Sequence, residues 1–189
     1  MAHPKRKEYV KYLLERLGDV PVIWEDGSGI WETRKRCLED HIAAGAEWSL
    51  TIQDDCLVTD DFIEKAIAFI QKHDRKGRRT FSFNFYFWSN SLGLCQSAKR
   101  SGFYRSRGIK SGLGICLKTE IIPPLLSFWE GRSDLLRHDD SRISLFLRKR
   151  GLSSIYPCPS LVQHRDAPSL VYTPDEVPFT RKALFYDGD

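Results

Sequence analysis

Through Ile70 the chain alternates between residues spaced for a helix and short apolar runs spaced for a strand, and this alternation constrains its fold more than anything else in it. Tyr9, Val10, Leu13, Leu14 and Leu17 recur at helical spacing behind Pro4, with Gly18 as a stop. Pro21-Val22-Ile23-Trp24 reads as a short buried strand, and Glu25-Asp26-Gly27-Ser28-Gly29 as the turn at its C-terminal end. Thr33 to Ala46 is a second predicted helix, closed near Gly45, and Trp48 to Ile52 a second strand. Thr59 or Asp60 caps a third helix with the apolar stripe Ile63, Ala66, Ile67 and Ile70. The pattern predicts an α/β domain with a mostly parallel central sheet flanked by helices.

The second half is less regular. Thr80 to Trp88 alternates aromatic and small polar residues with strand period. Ser97 to Lys110, basic and bearing glycine and aromatics, reads as a surface hairpin or loop. Ser111 to Leu117 is a predicted strand, and Ile121 to Trp129 a helix whose Pro123 and Pro124 suit a first turn. A helix over Ser141 to Arg150 stops at Gly151, and Ile155 to Pro159 with Leu161-Val162 leads to His164. After Tyr172 no periodicity is visible.

At 189 residues the chain suits one domain with a substantial core. Apolar residues make up 41% and charged residues 29%, and no apolar run approaches the ~20 residues of a membrane helix. Met1 to Lys7 carries charge without an apolar segment behind it, so no secretory signal is visible and a cytoplasmic setting is expected. The five cysteines are widely spaced without a C-x-x-C pair, and are expected to be reduced and mostly buried. A net charge of +4 and a pI near 8.8 fit an anionic ligand without naming one.

The chemistry concentrates where the strand Trp48 to Ile52 runs into Gln53-Asp54-Asp55. Carboxylates at a strand end lie at the rim where open α/β sheets bind ligands. Paired hard oxygens suit magnesium or manganese, which in turn suit phosphates; the competing reading is a plain turn. Two further polar islands follow: Asp139-Asp140 before a helix and Gln163-His164-Arg165 after a late strand.

In this order, together with His3-Pro4-Lys5-Arg6, the islands resemble nucleotide-sugar glycosyltransferases of the GT-A fold, from His3 to about Ser169. The resemblance implies a single GT-A-like, Rossmann-like domain. Residues 1–95 would form the nucleotide and metal half, 96–172 the acceptor and catalytic half, and 173–189 a tail. It implies a manganese or magnesium ion and a nucleotide-sugar donor such as a UDP-sugar. Gln53 departs from the DxD pattern of such enzymes, which makes Asp55 the better metal ligand and Asp54 a ligand or sugar contact, with His164 as a further ligand. For His164 a partly buried structural histidine is the other reading. Asp140 corresponds to the general base, with Asp139 as fallback, which favours inversion; both would also complement a helix dipole. His3, Pro4 and Arg6 match the nucleotide-holding loop or form a loose basic terminus. Only Met1 and Ala2 precede them, so the first strand is nearly missing or begins upstream. Asp26 contacts the base or ribose, or only shapes its turn. Gly112 and Gly114 would let a ligand or another backbone approach. Trp88, Asn90 and Trp129 pack on a sugar face or in the core.

Two basic clusters bear on the acceptor: Arg75 to Arg79, and Lys99, Arg100, Arg105, Arg107 and Lys110 interleaved with Phe103 and Tyr104. Tyr104, Arg105, Arg107 and Lys110 are the residues expected to meet a DNA acceptor, such as a hydroxymethylated pyrimidine in viral DNA, in a bacterial or virus-infected cell. Lipopolysaccharide or another glycan is the competing acceptor, a clamp on the donor diphosphate a competing role, and a non-catalytic nucleic-acid-binding module a different class altogether.

Overall fold

The structure, a computed structural model, describes residues 1–74, 80–89, 91–132, 138–165, 170, 182–183 and 185–186. A 3-10 turn at Pro4–Arg6 leads into α1 (Lys7–Leu17), α2 (Ile30–Ala44), β1 (Trp48–Ile52), β2 (Cys56–Val58) and α3 (Phe62–His73). Then come β3 (Thr80–Asn84), α4 (Leu92–Ser101), β4 (Phe103–Ser106), β5 (Gly114–Lys118), α5 (Ile122–Trp129), α6 (Asp139–Lys149), β6 (Ser153–Pro157) and β7 (Val162–His164).

Five strands form one sheet in the order β1-β5-β3-β6-β4, and β2 pairs with β7 in a second, two-stranded sheet. Only β3 and β6 are parallel neighbours in the main sheet; β1 with β5, β3 with β5 and β4 with β6 are antiparallel. The domain is α/β, but the expected mostly parallel sheet is corrected to a mixed, mostly antiparallel one. The physical reason is insertion: β1, β3 and β6 run in one direction, and β5 enters between β1 and β3 against them. Alternation of strand and helix predicts strand direction, whereas the neighbour of each strand depends on long-range pairing. For the same reason β1 lies at an edge of the sheet.

Beyond β1 the predicted strand Pro21 to Trp24 shrinks to one parallel bridge between Ala2 and Trp24, and Trp24 is 36% exposed. Pro21 has no N–H to extend a ladder. The Met1 nitrogen donates to Ile52 O at 3.0 Å, which ties this edge segment to the end of β1. The segment expected to be a loop, Ser97 to Lys110, instead completes α4 and forms β4. Gly102 turns between them at φ +72°, a left-handed conformation in which glycine avoids strain.

The core divides by the two faces of the sheet. Leu13 of α1 and Phe62 and Ala66 of α3 pack with Phe83, Phe85, Cys116 and Ile155. On the other face Trp31 and Leu38 of α2, Leu125 and Trp129 of α5 and Ile143, Phe146 and Leu147 of α6 pack with Ile115 and Leu117. Ile115, Cys116 and Leu117 alternate sides along β5, as a pleated strand requires. All five cysteines are buried free thiols, as expected.

A buried ion pair joins distant parts of this second face. Arg34 Nε donates to Asp139 Oδ2 at 2.8 Å, and Arg34 Nη2 donates to Gly112 O at 2.9 Å. Removing one partner leaves the other charge desolvated and uncompensated. Arg34→Met is therefore expected to lower unfolding stability in urea by about 3–5 kcal/mol, with Arg34→Met/Asp139→Leu more stable than the single variant. A double variant as unstable as the single would show that the site does not depend on charge pairing.

Candidate functional site

The Asp54-Asp55 pair opens onto a cleft of about 620 Å3 at the C-terminal end of β1. Its walls come from Met1 to His3 and Arg6, from Glu25 and Ser28 to Thr33, from Gln53 to Asp55, and from Arg142, His164 and Leu170. Local sequence explains the first wall. Pro4 opens the 3-10 turn with its φ already set, and the His3 Nδ1 accepts from the Lys5 amide at 3.1 Å. That turn aims the His3 amide at Asp54 Oδ2, 2.6 Å away. It also lets one nitrogen of Arg6, Nη1, donate to Asp54 Oδ1 at 2.9 Å and to Asp55 Oδ2 at 2.8 Å. Burial opposes the charge of Arg6, but the two carboxylates outweigh it and hold its pKa above the ordinary arginine value.

The small sheet supplies the second wall. Cys56 pairs with His164 across β2 and β7, and the Arg165 amide donates to Asp55 O at 2.8 Å. This register sets His164 Nε2 3.7 Å from Asp55 Oδ2. Among the described residues Asp55 Oδ1 and His164 Nδ1 are buried without a hydrogen-bond partner, a costly condition that a bound cation would relieve. Carboxylate oxygens and an imidazole nitrogen suit manganese or magnesium, so the residues present fit such an ion. Among the described residues no three acidic, His or Cys side chains already converge as a metal cage; Arg6 holds the space between the two carboxylates.

The structure brings His3, Arg6, Asp54, Asp55 and His164 together. It treats the remaining expected site residues differently. Pro4 is exposed and shapes the turn. Asp26 is exposed, accepts from the Ser28 amide at 3.1 Å and its hydroxyl at 2.6 Å, and pairs with Arg36 at 3.1 Å. The Ser28 hydrogen bonds hold its carboxyl below the usual range, so the structure supports the turn reading. Glu25 lines the cleft in its place: its Oε1 accepts from the Gly27 and Gly29 amides at 2.7 and 3.1 Å, and Oε2 lies 3.9 Å from His3 Nε2. Gly112 and Gly114 stay small for the protein's own side chains. A Cβ on Gly112 would sit 2.9 Å from Gln53 Nε2 and 3.3 Å from Asp139 Oδ1, and one on Gly114 3.1 Å from Val162 Cγ2. Neither glycine lines the cleft.

Asp139 and Asp140 part company. Asp139 is buried, with Oδ2 taken by Arg34 and Oδ1 by the Asp140 amide at 2.9 Å. Asp140 lines a separate hollow of about 390 Å3 with Ile109, Lys110, Ser141, Ser144, Leu145 and Arg148. The cleft and the hollow share no lining residue. Arg142, unforeseen in the sequence, carries α6 to the cleft: it is 5% exposed, and its guanidinium lies 4.9 Å from the Trp31 ring and 5.3 Å from that of Trp129. Trp129 is thus a core residue and a platform for arginine. Trp88 packs against the first core cluster.

Of the expected acceptor residues, Lys110 lines the hollow and its ammonium lies 5.2 Å from the Tyr104 ring. Tyr104 packs on Phe87 and Tyr156 at centroid distances of 5.0 and 5.8 Å. Arg105 Nη1 donates to Thr80 Oγ1 at 3.0 Å and Ser153 Oγ at 2.6 Å, and Arg107 is exposed. Arg75 to Arg79, Asn90 and Ser169 lie outside the described residues. Sequence signals for the missed residues existed: Glu25 directly follows the predicted strand end, and Arg142 stands three residues after Asp139 on a helix. Compared with protein-family models and with curated proteins, the chain matches none.

Burial, and then the neighbouring charge of Asp139, raise the Asp140 pKa. The native state therefore binds more protons than the unfolded chain between the ordinary aspartate pKa and the raised one, and stability falls as pH rises through that window. Asp140→Asn is expected to have the higher urea midpoint at pH 7, with the gain vanishing below about pH 4. A pH-independent difference would show that the folded state does not raise the Asp140 pKa, and a wild type that gains on the variant as pH rises would show that the helix dipole outweighs burial.

Proposed function

We propose that this protein is a GT-A-type glycosyltransferase that uses manganese or magnesium to move a sugar from a nucleotide-sugar donor, with a UDP-sugar as the leading candidate, to an acceptor hydroxyl. The observation that carries the reading is the convergence of Arg6, Asp54, Asp55 and His164, from three separate segments, in one cleft at the end of β1. Its volume of about 620 Å3 lies in the range of small-molecule and cofactor sites. Helices on both faces and three co-directional strands add support, because such sheets bind ligands beyond the carboxyl ends of their strands.

Asp55, Asp54 and His164 would hold the cation, which when bound neutralises charge on the donor's diphosphate. The chain's own groups do the rest. Arg142, clamped by Trp31 and Trp129, presents a rigid cation to an anionic donor at the cleft wall. The acceptor hydroxyl oxygen bonds to the anomeric carbon as the bond from that carbon to the diphosphate breaks; for Asp140 to take the hydroxyl proton, the acceptor must bridge the separate hollow and the cleft. Inversion of the anomeric centre follows. Asp140 suits this role better than Asp139, both of whose oxygens are engaged. Its raised pKa also brings it closer to a base useful near neutral pH.

Lys110 and Arg148 beside Asp140 favour an anionic acceptor, and DNA bearing a hydroxymethylated base is the acceptor proposed. One observation favours a glycan acceptor as a second reading: Arg105 spends one guanidinium nitrogen on Thr80 and Ser153. A cytoplasmic setting belongs to the same proposal; among the described residues no helix is long and apolar enough to cross a membrane.

A screen of nucleotide sugars for nucleotide release, with and without manganese, tests the reading. Asp55→Asn is expected to abolish turnover at limiting manganese while the protein still folds, and near wild-type turnover there would sink the metal assignment. Asp140→Asn is expected to slow transfer by about 10²- to 10⁴-fold while donor affinity holds. Parallel mass spectrometry of DNA and glycan acceptors separates the two acceptor readings.

A further inference from the structure

The cleft carries an internal cation where a divalent ion would bind, and this bears on how the ligands load. A single Arg6 nitrogen bridges both carboxylates, at 2.9 Å from Asp54 Oδ1 and 2.8 Å from Asp55 Oδ2, with the Arg6 side chain only 10% exposed. Arg6 is the guanidinium in contact with both carboxylates, and among the described residues Asp55 Oδ1 has no hydrogen-bond partner. The turn that carries Arg6 is anchored by its backbone, through the His3 amide on the other oxygen of Asp54 and the Pro4 start. The guanidinium can therefore leave by side-chain rotation while the backbone stays.

We infer that Arg6 is an exchangeable counter-cation: a divalent ion entering between Asp54 and Asp55 displaces it, and the freed guanidinium pairs with the anionic diphosphate of the same ligand. This rests on the transferase reading and adds to it a coupling between metal and diphosphate. Metal alone must break the Arg6 contacts without replacing them, whereas metal with diphosphate regains them elsewhere. By linkage each ligand then tightens the other.

Titration calorimetry of the full chain with MnCl2, in the absence and presence of UDP and corrected for Mn-UDP chelation, tests this. Arg6→Gln is expected to bind Mn2+ alone at least about tenfold tighter than wild type, the factor that matches one charge-assisted hydrogen bond. Its enhancement by UDP is expected to be smaller by about the same factor. Arg6→Lys should retain the wild-type pattern. Equal Mn2+ affinities and equal enhancements overturn the exchange, and if donor hydrolysis persists in that case the transferase reading stands. Absence of Mn2+ binding in both proteins, with or without UDP, overturns both. Wild-type protein carrying ¹⁵N-arginine reports the same event without substitution: the Arg6 guanidinium resonance is expected to move on addition of Mg2+, and an unmoved resonance overturns the exchange.

Discussion

The buried contact of Arg34 with Asp139 is the constraint on which the site's arrangement depends. Their side chains are 1% and 3% exposed, and each ion alone would carry a desolvation penalty of several kcal/mol, so neither is tolerated in the core without the other. Because Arg34 also holds Gly112 O, one guanidinium sets the spacing of α2, the approach to β5 and the first turn of α6. Positions two apart on a helix differ by roughly 200° around its axis. Fixing Asp139 inward therefore sends Asp140 and Arg142 to different surfaces. The hollow receives a carboxylate and the cleft a guanidinium.

The cleft is governed by the same economy of charge. Asp54 and Asp55 are adjacent and largely withdrawn from water, so their negative charges repel unless a cation lies between them. Arg6 supplies that cation, and the His3 amide adds a charge-assisted hydrogen bond. His164 enters from β7 because β2 turns back immediately after the aspartates and takes β7 as its partner. The site is thus held by a short ladder and a tight turn, and its donor atoms approach without disturbing the main sheet.

Much of this was legible in local sequence. Apolar stripes located α1 and α3, proline and glycine boundaries located α5 and α6, and the period-two alternation of the 80s located β3. The ladder ends at Asn84 because the Asn84 side chain takes over the pairing, donating to Ser111 O at 2.7 Å and accepting from the Tyr86 amide at 3.0 Å. The aromatics that follow keep their burial without keeping strand geometry. The acidic pair was legible because it sits at a strand end, and Arg6 and His164 because they stand in compact polar islands. Asp26 and Glu25 could not be ranked from sequence: both occupy a turn, and only the position of His3 decides which carboxylate faces the cleft.

The sequence by itself determined the α/β class of the fold, most of its helices and strands and several of the polar residues that meet in the cleft, because periodicity and turn chemistry act over a few residues. The tertiary structure decided strand neighbours, the edge position of β1, the separation of Asp140 from the acidic pair, and the Arg6 bridge. Those features depend on pairing and burial between segments far apart in the chain, and no local pattern encodes which distant partner wins. A glycine such as Gly112 shows the difference: its sequence says that something approaches closely, and only the fold says that it is Gln53 and Asp139.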